Sequence, residues 1–142
     1  TVVTEGIVVE NCDQTTSRAH TELPILIVDD EPVNRFILSN FCKKVGIDFV
    51  VACDGIEALQ VIKENAFIRG ANPPFRMAII DYQMPEMSGP QLCQELHRLE
   101  TEDALILPPM VGHTAFVSRE ELDFFLESGA QGILEKPTNF DG

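Results

Sequence analysis

Short apolar runs alternate along the chain with longer segments in which apolar residues recur every three or four positions. The runs occupy residues 24–28, 49–52, 77–80, 110–112 and 132–134. A short continuous apolar run is typical of a strand that is buried on both faces. Helical spacing follows each of the first four runs, at residues 32–45, 55–65, 88–99 and 118–128. The pattern therefore predicts five buried strands that alternate with helices.

Residues typical of helix ends support this alternation. Pro32 suits a first helical position, and Gly46 suits the position just after a helix. Ser88 is expected to cap the third helix, and Ser118 with Glu121 has the spacing of a capping box. Alternating strands and helices form a parallel sheet with helices on both faces. We therefore predict an α/β, doubly wound fold around a five-stranded parallel sheet.

Length and charge narrow the class of protein further. The 142 residues allow one domain, which we place at residues 23–142, after a polar N-terminal linker or tail at residues 1–22. The 23 acidic and 10 basic residues give a net charge of −13. A surface this negative repels phosphate backbones and anionic lipid, so we expect no direct contact with nucleic acid or membrane.

Polar residues follow four of the five apolar runs. Asp29 and Asp30 follow the first run, Asp81 the third, Thr114 the fourth and Lys136 the fifth. Parallel strands end at one edge of the sheet, where such folds bind ligands, so these side chains are expected to converge there. Crowded carboxylates need a cation, and Mg²⁺ prefers oxygen ligands. A carboxylate beside Mg²⁺ and an ammonium is suited to attack a phosphoryl group.

Six segments of the chain resemble the receiver domains of response regulators. The matching segments are residues 27–34 (IVDDEPVN), 54–59 (DGIEAL), 80–89 (IDYQMPEMSG), 113–115 (HTA), 129–130 (GA) and 135–137 (EKP). The resemblance covers residues 24–137 and implies a flavodoxin-like strand order 2-1-3-4-5. It also implies a phospho-accepting switch of a two-component phosphorelay. Asn34 and Arg35 are similar to the pair in receivers of hybrid histidine kinases.

The resemblance implies a metal site and a phospho-acceptor. Asp81 would take the phosphoryl group from a histidine kinase or a histidine phosphotransfer domain. Asp29, Asp30 and Asp81 would hold Mg²⁺, together with the backbone carbonyl of Gln83. The protein would be a switch that assists its own phosphorylation and dephosphorylation, and not an enzyme.

The remaining implied roles concern the other strand ends. Lys136, joined to Pro137 by a cis bond, would pair with the phosphoryl oxygens, and Thr114 would be the switch hydroxyl. His113 is interpreted as a loop or core histidine.

The four cysteines show neither disulfide-motif nor metal spacing, which indicates a reducing compartment. We expect a cytoplasmic protein, or the cytoplasmic part of a larger, membrane-attached kinase.

Two departures from the family pattern matter. Ile133 stands where receivers usually carry Tyr or Phe. Only residues 138–142 follow Pro137, which are too few for a fifth helix, so we expect that helix to be missing or truncated. An apolar sheet face left uncovered favours self-association, so we predict a homodimer or a weakened fold unless residues 1–22 cover that face.

Two other functions stay open from the sequence. A Mg²⁺-dependent phosphatase with an aspartyl nucleophile would carry a second acid two residues after Asp81, where this chain has Gln83. A receiver-like interaction module that has lost phosphorylation would bind its partner equally with and without beryllofluoride.

Overall fold

The structure is a computed structural model that describes residues 23–69, 73–115 and 118–136. The strands within these residues are β1 (Ile25–Val28), β2 (Phe49–Ala52), β3 (Met77–Asp81), β4 (Met110–Thr114) and β5 (Gly132–Glu135). The helices are α1 (Pro32–Val45), α2 (Gly55–Arg69), α3 (Gly89–Asp103) and α4 (Arg119–Ser128). All strands pair in parallel in the order β2-β1-β3-β4-β5. The predicted α/β class and strand order are confirmed.

Some elements extend beyond their predicted ends. Asp81 and Thr114 are the last residues of their strands, because the ladder continues through the pairs Asp81–His113 and Thr114–Glu135. Helix α2 continues to Arg69, past the end predicted near residue 65. Residues 66–69 contain neither glycine nor proline, so nothing in this segment interrupts the helix.

The helix ends that were predicted from capping residues are confirmed. Gly46 adopts a left-handed conformation with φ 75°, and its N–H donates to the carbonyls that end α1. Ser88 and Ser118 both form capping boxes, with Gln91 and Glu121 respectively. Gly129 ends α4 with φ 131°. These caps fix where each helix begins and ends relative to the strand ends.

The sheet separates two apolar clusters. On one face, side chains of the central strands pack against residues of α2, α3 and α4, among them Ile62, Leu96 and Phe125. On the other face, Ile27 and its neighbours pack against α1 through residues such as Leu38. Strands β1 and β2 are buried along their whole length. This burial on both faces explains why their sequences are continuous apolar runs.

Strand β5 is less buried than the central strands. Its first three residues are half-buried and Glu135 is exposed.

The predictions for residues 1–22, for the fifth helix and for the bond to Pro137 lie outside the described residues. The predicted homodimer through an uncovered sheet face stays a prediction that sedimentation would test. Within the described part of the chain, none of the helices has the length and apolarity needed to cross a bilayer.

Candidate functional site

The three predicted acids converge at the carboxyl edge of the sheet. Asp29 directly follows β1 and Asp81 ends β3, and these two strands are neighbours. Asp29, Asp30 and Asp81 each offer a carboxylate oxygen, and these oxygens all lie within 4.8 Å of one another. Asp29 and Asp81 are buried, whereas Asp30 is half-buried at the rim. The expected convergence of the acids is therefore present.

The chemistry of this donor set fits a hard divalent cation. Two oxygens on opposite sides of an octahedral Mg²⁺ ion are about 4.2 Å apart, because each lies about 2.1 Å from the metal. Oxygens already within 4.8 Å of one another need only small side-chain movements to reach that arrangement. Gln83 lies exposed in the loop after β3, two residues beyond Asp81.

Lys136 brings a positive charge to the buried acids. Its Nζ donates to Asp81 Oδ1 at 2.9 Å and lies 3.3 Å from Asp29 Oδ2. Its backbone N–H donates to the Thr114 carbonyl at 2.7 Å, which continues the β4–β5 pairing by one residue. The ammonium is thus held against both carboxylates by its own side-chain contacts and by the backbone of β4.

Burial and charge shift the ionisation of these groups in different directions. Burial raises the pKa of Asp81 to about 6; the hydrogen bond from Lys136 opposes this rise, and the negative charge of Asp29 adds to it. Burial also raises the pKa of Asp29, but the nearby His113 imidazole, the hydrogen bond from the Glu31 N–H and the charge of Lys136 outweigh it, so that pKa is lowered overall. For Lys136, burial lowers the pKa, yet its bond to Asp81 and the charge of Asp29 leave it raised.

Two contacts that the sequence analysis missed hold Asp29 in place. The backbone N–H of Glu31 donates to Asp29 Oδ1 at 2.9 Å. Arg35 Nη1 donates to the Asp29 carbonyl at 2.9 Å, from the first turns of α1. The sequence signal for this second contact is the Asn34–Arg35 pair. The position of Arg35 in the sequence does not show which group its side chain contacts.

Gly89 allows helix α3 to begin directly against β3. A Cβ on this residue would lie 2.3 Å from the Asp81 carbonyl oxygen and 2.8 Å from Phe125 Cζ. The Gly89 N–H donates to the Tyr82 carbonyl at 2.7 Å, which closes the loop after β3. The requirement for glycine here is therefore a close approach of two backbones.

Thr114 and Ile133 lie beside the site on β4 and β5. Thr114 is buried, and strand alternation places it on the same sheet face as Gly112. That face packs against Phe125, since a Cβ on Gly112 would lie 2.6 Å from the Phe125 ring. Ile133 pairs with Gly112 and would lie 2.8 Å from the same Cβ. An aliphatic side chain thus lies against Gly112 at the sequence position where the family pattern has Tyr or Phe.

Several known proteins with similar sequences are histidine kinases. The sequence profile of the response regulator receiver domain family matches residues 25–142. Sensor histidine kinase RcsC of Salmonella typhimurium is 35% identical over 126 residues, which are 89% of this chain and 12% of that kinase. Osmosensing histidine protein kinase SLN1 of Saccharomyces cerevisiae is 34% identical over 118 residues, which are 82% of this chain and 9% of SLN1. The chain thus spans a small part of the length of these curated relatives.

A solved structure shows the same fold. The receiver domain of the histidine kinase CKI1 from Arabidopsis thaliana, complexed with Mg²⁺, is 28% identical with a TM-score of 0.71. The match covers 80% of this chain and 83% of that one. Receiver domains are phospho-accepting switches of two-component phosphorelays and not classical enzymes. With its family profile matched over most of its length and its strand order shared, the chain belongs to the response regulator receiver domain family.

Proposed function

We propose that Asp81 accepts a phosphoryl group from a phosphohistidine on a histidine kinase or a histidine phosphotransfer domain. Asp29, Asp30 and Asp81, with the backbone carbonyl of Gln83, would hold the Mg²⁺ ion that this reaction needs. The observation that carries this proposal is the set of three carboxylate oxygens within 4.8 Å of one another, with the Lys136 ammonium 2.9 Å from Asp81 Oδ1. Such a set combines a nucleophile, a cation site and a fixed positive charge.

The transfer is a displacement at phosphorus. One carboxylate oxygen of Asp81 attacks the phosphorus atom, and the bond between phosphorus and the donor imidazole nitrogen breaks. That nitrogen keeps the bonding electron pair and takes up a proton. When Mg²⁺ is bound, it supplies positive charge to the phosphoryl oxygens. Lys136 supplies a second positive charge beside Asp81.

The ionisation of Asp81 suits this role. A pKa raised to about 6 by burial leaves the side chain mainly ionised at neutral pH, and the carboxylate is the form that attacks. Lys136 opposes the effect of burial because its ammonium stabilises the ionised form. The acceptor is therefore partly desolvated and still negatively charged under cellular conditions.

The phosphorylated state would change the contacts of Thr114 and Lys136. A phosphoryl group adds roughly −1.5 to −2 charges and new acceptor oxygens at Asp81. The Lys136 ammonium would bond these oxygens, and the Thr114 hydroxyl would move toward them from the face that it shares with Gly112. The equilibrium shifts only by the difference in affinity between the two arrangements. Ile133 in place of an aromatic residue supports a switch without an aromatic side-chain step.

The same groups would also assist dephosphorylation. Water would attack the phosphorus of the acyl phosphate, the phosphorus–Asp81 oxygen bond would break, and the carboxylate would be regenerated. Lys136 and the cation site would stabilise the same oxygens in both directions. The kinase relatives support a place for this domain within a hybrid histidine kinase. We propose that this part of such a kinase lies in the cytoplasm.

The decisive experiment is phosphorylation of the 142-residue chain with acetyl phosphate and Mg²⁺, followed by intact mass. We expect one phosphoryl adduct that disappears in Asp81→Asn and persists in Asp103→Asn, which changes an exposed acid at the end of α3. An adduct that persists in Asp81→Asn, or none on the wild type, would contradict the proposal. Absence of the wild-type adduct would favour a module that has lost phosphorylation, and turnover of a phosphomonoester would favour a phosphatase.

A further inference from the structure

His113 lies among the acids of the site, although the residue pattern assigned it no role there. It pairs directly with Asp81 in the β3–β4 ladder, so their side chains leave the sheet on the same face. Its side chain is 3% exposed, and Nδ1 lies 3.9 Å from Asp29 Oδ2, which is itself buried. A histidine one residue before the end of β4 is thus directed toward an acid that follows β1, two strands away.

Asp29 is contacted from several directions by groups that favour its ionised form. The Glu31 N–H donates to Oδ1, while Lys136 Nζ and His113 Nδ1 face Oδ2 at 3.3 and 3.9 Å. An N–H on Nδ1 would therefore face a buried oxygen of this carboxylate and stabilise its negative charge.

We propose that His113 is a positioning residue for the cation site, with its proton on Nδ1 and directed at Asp29 Oδ2. This inference rests on the proposed function, because the site that it supports is the Mg²⁺ site of that proposal. The N–H limits rotation of the Asp29 carboxylate, so that the carboxylate keeps an oxygen toward Asp30 and Asp81. Groups that orient a metal-binding side chain typically change metal affinity by about 10–100-fold when they are removed.

His113 acts through Asp29 and is not itself a ligand. The cluster of oxygens that could hold a cation consists of Asp29, Asp30 and Asp81 among the described residues. Mg²⁺ prefers oxygen to imidazole nitrogen. A separation of 3.9 Å is longer than a direct hydrogen bond, so the N–H acts mainly through its dipole, which is effective because the site is largely closed to water.

The test compares Mg²⁺ binding by calorimetry at neutral pH for the wild type and three variants. His113→Leu removes the donor, whereas His113→Asn keeps an N–H donor near the position of Nδ1 on a side chain of similar size. His97→Leu is the control, since His97 is half exposed on α3 and contacts Glu100. We expect Mg²⁺ affinity at least about tenfold weaker in His113→Leu, near the wild-type value in His113→Asn, and unchanged in His97→Leu.

A measurement on the wild type decides the matter even if His113→Leu fails to fold. Nitrogen-15 NMR of the histidines should show His113 protonated at Nδ1, with a shift that changes when Mg²⁺ is added; loss of that signal in His113→Asn assigns it. A proton on Nε2 alone would overturn the proposal. Equal Mg²⁺ affinity in the wild type and His113→Leu, or equal weakening in both His113 variants, would also overturn it and leave the cation site intact. A wild type that binds no Mg²⁺ would instead overturn the proposed function together with this inference.

Discussion

The Lys136 ammonium donates a hydrogen bond to Asp81 Oδ1 at 2.9 Å, although 55 residues separate the two in the sequence. This contact predicts opposite effects on two properties when the ammonium is removed. In Lys136→Met, phosphorylation by acetyl phosphate should slow by at least about 10²-fold, because a charge that stabilises the transferring oxygens is lost. Mg²⁺ affinity should stay the same or increase, because a like charge no longer opposes the cation.

Mass spectrometry of the phosphorylation time course and calorimetry of Mg²⁺ binding test the two parts. Lys43→Met, which changes an exposed lysine in the last turn of α1, is the matched control and should alter neither property. A loss of Mg²⁺ binding in Lys136→Met that parallels the loss of rate would show that Lys136 only maintains the fold of the site.

The raised pKa of Asp81 predicts a pH dependence of Mg²⁺ binding. Protons and Mg²⁺ compete for this carboxylate, whose pKa burial raises to about 6, so the cation affinity should be constant above that value and fall below it. Between neutral pH and about pH 5 the apparent affinity should fall roughly tenfold, in proportion to the ionised fraction.

Calorimetry over this pH range measures the effect. The variant Asp81→Asn should bind Mg²⁺ more weakly at every pH and show a flatter profile, because it removes the competing proton site. An equally steep profile in the variant would assign the titration to another group.

The close approach of Gly89 to Asp81 predicts a large penalty for a single added methyl group. In Gly89→Ala the new Cβ would meet the Asp81 carbonyl and Phe125, so the free energy of unfolding should fall by about 1–3 kcal/mol. Gly132→Ala is the control: its Cβ would have no atom within 4 Å, and its φ lies outside the left-handed region. Urea unfolding of both variants is the measurement, and equal stabilities would contradict the contact.

The capping box at the start of α4 predicts a smaller effect. Ser118 Oγ accepts from the Glu121 N–H at 3.1 Å, and Glu121 Oε1 accepts from the Ser118 N–H at 3.0 Å. Ser118→Ala should lower the free energy of unfolding by about 1 kcal/mol, whereas Ser118→Asp keeps an acceptor and should retain most of it. Equal losses in the two variants, measured by urea unfolding, would argue against a capping role.

The sequence was sufficient to predict the acids of the site because their position depends on local pattern. Asp29 and Asp81 follow apolar runs, and parallel strands bring such positions to one edge. The contacts of His113 and Gly89 could not be predicted in the same way. They depend on the β3–β4 register and on how closely α3 approaches β3, and both of these are set by packing between elements distant in sequence.

The end of α2 shows a different limit. Its predicted end lies near residue 65, but the helix continues to Arg69, and no glycine or proline interrupts it earlier. A periodic apolar pattern indicates that a helix is present. It does not by itself mark the residue at which the helix ends.

The site residues leave the ribosome in the order of the sequence, and the last of them lies directly after the last strand. Asp29 and Asp81 are synthesised well before Lys136, which takes its place only when β5 has joined β4. A nascent chain interrupted before that step carries the acids without their countercharge. Under the proposed role of Lys136, rapid phosphoryl transfer therefore requires that the last strand has joined the sheet.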